Sequence, residues 1–211
     1  MLDPGRWSQL WQRATGAEPP PEQFETLTKQ YAEPHRHYHN ANHILDCLAE
    51  FDRHLSKASD PIATELAIWF HDAIYDTRAA DNEERSAELA EEWLTRSGAA
   101  KRLITAVKSL VLATKLHDVH GHPDAPLLVD IDLSILGRSS QRFWNYEAQI
   151  RQEYAWADRM VFAAKRAEIL RRFLARKQIY HTEIFHEQLE AAARANLTAS
   201  IKRLMLQLPP N

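Results

Sequence analysis

The chain predicts an all-α fold. Three observations carry that expectation. Apolar residues recur at helical spacing through almost every segment, and several segments open on recognisable helix starts. Glycine is scarce, with five in 211 residues, so there is little material for tight hairpin turns or a glycine-rich phosphate loop. The expected architecture is a single helical bundle, one domain over 1–211, with a motif-bearing core at about 31–137 and C-terminal helices over 139–206.

Leu2, Trp7, Leu10 and Trp11 mark a short amphipathic helix over residues 2–15, broken by three consecutive prolines, Pro19 to Pro21. Residues 22–31 form a second short helix that stops before Pro34. Tyr38 then opens a longer helix carrying Ile44, Leu48, Phe51 and Leu55. Asp60-Pro61 is a helix start, with aspartate as N-cap and proline at the first helical position. Ile62, Leu66, Trp69, Phe70 and Ile74 give that helix a broad apolar face.

Asp81-Asn82-Glu83-Glu84 resembles a capping box, with Asp81 as cap and Glu84 three residues on. Its helix runs through Leu89, Trp93 and Leu94 to Gly98, and the next carries Leu103, Ile104, Val107, Leu110 and Val111 to Thr114. A polar interval, Lys115 to Pro126, follows. Leu127 to Leu136 has a local strand pattern, but its alternation is imperfect. Ser139 or Ser140 then caps a helix marked by Phe143, Tyr146 and Ile150. Ile169, Leu170, Phe173 and Leu174 mark another, and Thr182 caps the last, which Pro209-Pro210 stops. No repeat or low-complexity linker interrupts the series.

Charge and composition exclude several function classes. Net charge is −3, yet residues 44–98 hold thirteen acids against five bases, and residues 138–177 hold ten bases against four acids. Either these are solvated helix faces that partly complement each other, or the basic stretch is a wall that draws in an anionic substrate. A pI near 6.4 gives no basic footprint for nucleic acid. Nothing approaches 18 consecutive apolar residues, so no membrane partner is expected. The N-terminus lacks the build of a signal peptide, and the single cysteine, Cys47, excludes an internal disulfide. The expected location is the cytosol.

The organising stretch is Trp69-Phe70-His71-Asp72-Ala73-Ile74-Tyr75-Asp76. An adjacent His-Asp pair alone says little. It gains meaning from His39 and His43 upstream and from Asp130-Ile131-Asp132 downstream. Three such stretches are expected to converge on one divalent metal ion. His39 and His43 are four residues apart, so a helix would present both on one face. Asn40 stands where a zincin motif would need an acid, and one cysteine excludes a thiolate zinc site. The remaining histidine and carboxylate donors suit a five- or six-coordinate Mn²⁺, Fe, Co²⁺, Ni²⁺ or Mg²⁺.

These residues resemble the HD-domain superfamily of metal-dependent phosphohydrolases. That signature is a histidine, an adjacent His-Asp pair and a distant aspartate on helices of an all-α fold. The match is closer to the small bacterial branch known as predicted HD phosphohydrolases. It rests on Tyr38-His39-Asn40-x-x-His43-Ile44, Phe70-His71-Asp72-x-x-Tyr75-Asp76, Asp81 to Ala87, Thr114-Lys115-x-His117, Asp130-x-Asp132-Leu133-x-x-Leu136-Gly137 and Ala193-Arg194-x-Asn196-Leu197. The resemblance covers roughly residues 31 to 206. It implies metal ligation by His43, His71, Asp72 and Asp132, and it selects Asp132 over Asp130.

For His39 the same resemblance leaves direct ligation, support of a ligand, phosphate contact and a plain structural hydrogen bond all open. His117 is expected to touch a second ion or the phosphate, while His120 and His122 decorate a solvent loop. Asp76, one helical turn past Asp72, and Glu83 are the candidate proton carriers. Lys115 would offset phosphate charge, whereas Arg85 and Arg166 are expected in surface ion pairs.

The implied activity is hydrolysis of a small phosphorylated metabolite, most plausibly a nucleotide, by metal-activated water. The ion would be one of Mn, Co, Ni, Mg, Fe or Zn. A di-iron oxygenase and a non-catalytic nucleotide sensor are the alternatives, and a homo-oligomer is left open.

Overall fold

A computed structural model describes residues 1–117 and 119–207. Among the described residues every regular element is helical and there is no strand. The α-helices are α1 (Pro4–Thr15), α2 (Pro21–Gln30), α3 (Ala41–His54), α4 (Pro61–Phe70), α5 (Asn82–Arg96), α6 (Lys101–Leu116), α7 (Ala125–Asp132), α8 (Ser140–Glu153), α9 (Arg159–Leu174) and α10 (Glu183–Met205). Short 3-10 stretches follow α3 at Leu55–Lys57 and α7 at Leu133–Gly137. No helix among the described residues is long and apolar enough to cross a membrane.

Two compact units divide the chain, the first Met1–Ile131 and the second from Asp132 onward. No linker marks the border, which falls at the last residue of α7.

In the first unit α4 is the central element. Asp60 accepts the Ala63 N–H at 3.1 Å and Pro61 occupies the first turn, so its start is fixed locally. Every residue from Ala63 to Phe70 is buried, as expected of a helix covered on all sides. α1, α3, α5 and α6 pack against it. Trp7 meets Trp11 at a tilt and Trp69 and Phe70 edge to face, with ring centroids 5.0, 5.3 and 5.9 Å apart, and Trp93 meets Phe70 at 5.6 Å. The buried Glu65 on α4 accepts Arg6 Nε at 2.7 Å, so its charge is matched within the packed layer.

Two local expectations need correction. The helix placed from Tyr38 begins at Ala41, because the Asn40 side chain accepts the Asn42 N–H at 2.8 Å and caps it. Tyr38 and His39 therefore lie outside the helix. Asp81 stands at the N-cap of α5 but its side chain makes no cap bond, and Glu84 pairs instead with Lys115 on α6. Long-range charge pairing has displaced the capping box.

Leu127–Leu136, whose alternation is imperfect for a strand, is helical throughout its length. Its entry is pinned by Asp124. That buried carboxylate accepts the N–H groups of Ser59 and Asp60 at 2.7 Å each and the Thr64 hydroxyl at 3.1 Å.

In the second unit α10 packs on α9 and on the Leu133–Gly137 stretch. A Cβ at Gly137 would sit 2.5 Å from Leu189 Cβ and 2.8 Å from the Leu189 carbonyl, so only glycine allows this approach. Tyr180 donates its hydroxyl to the Leu133 carbonyl at 3.0 Å. Asn196 Nδ2 donates to the carbonyls of Leu136 and Arg138 at 2.9 Å each. Arg194 closes the α9–α10 connection, binding Glu190 and the carbonyls of Leu174, Arg176 and Lys177. The Leu136-Gly137 and Arg194-x-Asn196 motifs thus have a shared structural use: they hold the segment that begins at Asp132.

Candidate metal centre

His43 sits in the first turn of α3, two residues inside the helix, and is almost fully buried. His71 caps the C-terminus of α4 and is equally buried. Its Nδ1 lies 3.0 Å from the Ile68 carbonyl. A carbonyl only accepts, so Nδ1 carries a proton, and Nε2 is the atom that presents a lone pair whenever the ring is neutral. That lone pair faces His43 Nε2 at 3.1 Å and Asp72 Oδ2 at 3.1 Å, while His43 Nε2 is 3.5 Å from the same oxygen.

Burial works against a charge on Asp72. His71 first, then His39 and His43, outweigh it and hold the carboxyl well below the usual range. The group is a carboxylate at any neutral pH.

Asp132 is the closing residue of α7, whose other seven residues belong to the first unit. His43, His71 and Asp132 each offer a ligand atom within 4.8 Å of the others. Asp72 is not a member of that triplet, although it meets both imidazoles. Lone pairs and carboxylate oxygens converge with few protons to share, a donor set that fits a divalent cation of borderline hardness.

The loop that carries Asp72 is fixed by Arg36, a residue the sequence reading missed. Its buried guanidinium donates to the carbonyls of Asp72 at 2.5 Å, Ala73 at 2.9 Å and His39 at 3.2 Å, and to Glu33 at 2.9 Å. It lies over the rings of Tyr31 and Tyr75 at 5.3 and 5.4 Å. A lone arginine between His35 and His37 carries no periodic signal. Only the fold shows that it ties the segment before α3 to the loop after α4. His39 lies beside this cluster, its ring 4.3 Å from Tyr75 and 5.9 Å from His43.

The other expected site residues divide. Glu83 opens α5 half-buried. Its carboxyl is raised above the ordinary range, chiefly by burial and then by the charge of Asp72, which places it in the field of the centre. Asp76 is exposed and lies in a loop, not one helical turn past Asp72. Its carboxylate accepts the Arg78 N–H at 2.9 Å, and its backbone is clasped by Asn82.

Lys115 is on α6, not in a loop. It donates to the Ala80 carbonyl at 2.8 Å and to Glu84, which ties α6 to the start of α5. His117 ends α6 in the left-handed region at φ 51°, and its N–H returns to the Ala113 carbonyl. Arg166 is half-buried, against the expected surface pair, and binds Glu147 and the Tyr146 hydroxyl.

No family model, curated protein or solved structure matches this chain.

Proposed function

We propose that the protein is a metal-dependent phosphohydrolase acting on a small phosphate ester, with nucleotides as the leading substrate class. One observation carries this reading: the Nε2 atoms of His43 and His71 lie 3.1 Å apart and meet one carboxylate, Asp72, at 3.5 and 3.1 Å, at the end of the central helix. The HD-like order of histidine, His-Asp pair and distant aspartate supports it.

His43, His71 and Asp132 would hold the ion, with Asp72 as the fourth donor or the charge that orients both imidazoles. A bound divalent cation supplies Lewis acidity toward a phosphoryl oxygen and a nucleophile at neutral pH. The Ile68 carbonyl fixes the His71 tautomer, and Arg36 keeps the Asp72 backbone in register.

Glu83 is the proton carrier of choice. Its partial burial and the neighbouring Asp72 charge raise its affinity for a proton, as general acid–base work near neutral pH requires. Asp76 is spent on its own turn, and Lys115 on Glu84. Phosphoryl transfer asks mostly for position and charge, which this rigid, buried donor set supplies.

The test is phosphate release from a panel of nucleotides and sugar phosphates by protein loaded with Mn²⁺ or Co²⁺, beside His71→Ala and Asp72→Ala. Release that both substitutions abolish is expected. A panel that yields no phosphate with any metal overturns the reading.

A further inference from the structure

The second unit contains a cavity of about 370 Å³ that uses none of the metal-centre residues. Its walls come from α8, the first turn of α9 and the last turns of α10. Three arginines line it, one from each helix: Arg151, Arg159 and Arg203. Among the described residues none of the three is paired with an acid. Arg151 donates to the carbonyls of Tyr154 and Ala157 and lies over the Phe162 ring at 4.8 Å. Arg159 donates to Gln207 Oε1 at 3.2 Å, and Arg203 lies over the Trp144 ring at 5.1 Å.

The nearby acids are committed. Glu147 on the cavity wall is neutralised by Arg166 and accepts the Ser200 hydroxyl at 2.7 Å. Asp158 feels the charge of Arg151, but its Oδ1 caps α9 through the N–H groups of Met160 and Val161. Three permanent positive charges around one concavity, two of them steadied on aromatic faces, form an arrangement that selects an anion. A carboxylate would saturate after one or two guanidinium forks, whereas a phosphate group offers enough oxygens for all three.

We propose that this cavity is a second binding site, for a phosphate group carried either by a soluble metabolite or by an anionic lipid headgroup. The chain on either side of the arginines raises the lipid source. Trp156, Met160 and Val161 flank Arg159 in sequence, Met205 and Leu206 follow Arg203, and all five are large apolar side chains left exposed. Exposed apolar side chains beside guanidinium-bearing positions in the chain suit a ligand that is charged at one end and greasy at the other.

The experiment is calorimetric titration of inorganic pyrophosphate into the full chain and into His71→Ala, which silences the candidate metal centre. Saturable binding is expected in both. Arg159→Glu and Arg203→Glu should each weaken it at least about tenfold, since each reverses a charge on the cavity wall. Arg172→Glu, the same charge change at an exposed position of α9 that does not line the cavity, should leave it within about twofold. Unchanged circular dichroism keeps a folding defect from imitating the result.

A second arm is flotation with phosphatidylcholine vesicles, with and without about one-fifth phosphatidic acid. Recruitment by the acidic vesicles that the two cavity variants abolish assigns the phosphate to a lipid. Pyrophosphate binding without recruitment assigns it to a soluble metabolite. The proposal falls if neither probe binds, if His71→Ala abolishes binding, or if Arg172→Glu weakens it as much as the cavity variants do.

Discussion

His43 Nε2 and His71 Nε2 face each other at 3.1 Å although 28 residues separate them in sequence. With a His71 proton committed to the Ile68 carbonyl, a small hard-to-borderline cation of the kind proposed would satisfy both rings and Asp72 at once. Protein as purified should therefore carry a divalent metal, and a chelator should lower its Tm, with Mn²⁺ or Co²⁺ restoring it. His71→Ala should reduce metal affinity by more than the roughly 10- to 100-fold typical of groups that only support a ligand. Elemental analysis and thermal unfolding read both outcomes; a Tm indifferent to chelator and metal would refute them.

Arg36 binds three backbone carbonyls from a buried position, so its loss should be felt twice. Hydrogen bonds to a charged group contribute about 1.5–3 kcal/mol, and Arg36→Met leaves several acceptors orphaned, so about 3 kcal/mol of stability should go. Metal affinity should fall as well, because the Asp72 loop loses its tether. Arg36→Lys, with one ammonium in place of a fork, should recover only part of either. Urea unfolding with a parallel metal titration checks this.

Glu83 carries a pKa raised by burial and by Asp72. A carboxyl acting as general base works deprotonated, so kcat/KM should climb with pH through a limb above the ordinary carboxylate range near 4.3. Glu83→Gln should remove that limb and lower kcat, while metal content stays unchanged. An acidic limb that survives the substitution belongs to another group.

Lys115 and Glu84 form a strut between α5 and α6. If that is their task, Lys115→Met and Glu84→Gln should lower Tm by similar small amounts, and the double variant should be no worse than either. KM for a phosphoester should stay within about twofold, as for loss of a screened pair away from substrate. A large rise in KM with Lys115→Met alone would return the lysine to the phosphate.

Gly137 has no room for a methyl group, its Cβ position lying 2.5 Å from Leu189 Cβ. Gly137→Ala should cost about 1–3 kcal/mol through overpacking. At this chain length that is a fall in Tm of about 2–4 °C per kcal/mol, measurable by differential scanning fluorimetry.

Helical class was legible because it rests on short-range pattern. The Asp60-Pro61 start, the prolines before α2 and the apolar periods of α4, α6 and α8 are read within one or two turns of chain. Where the local signal competed with a distant partner, the distant partner won. Glu84 left its cap for Lys115, and Asn40 took the cap that moved His39 off the helix.

By itself the sequence determined that this is an all-α protein with its chemistry-bearing residues in three stretches, His39 to His43, His71-Asp72 and Asp130 to Asp132. Ligand-type residues leave that trace because they stand within a few positions of one another in the chain. The tertiary structure decided which of these residues meet and which are occupied elsewhere. It set His43 against His71, seated Arg36 under Asp72, raised the Glu83 carboxyl, and assigned Asp76 and Lys115 to structural bonds. Those outcomes depend on burial and on carbonyls far away in the chain, and neither leaves a period in the sequence.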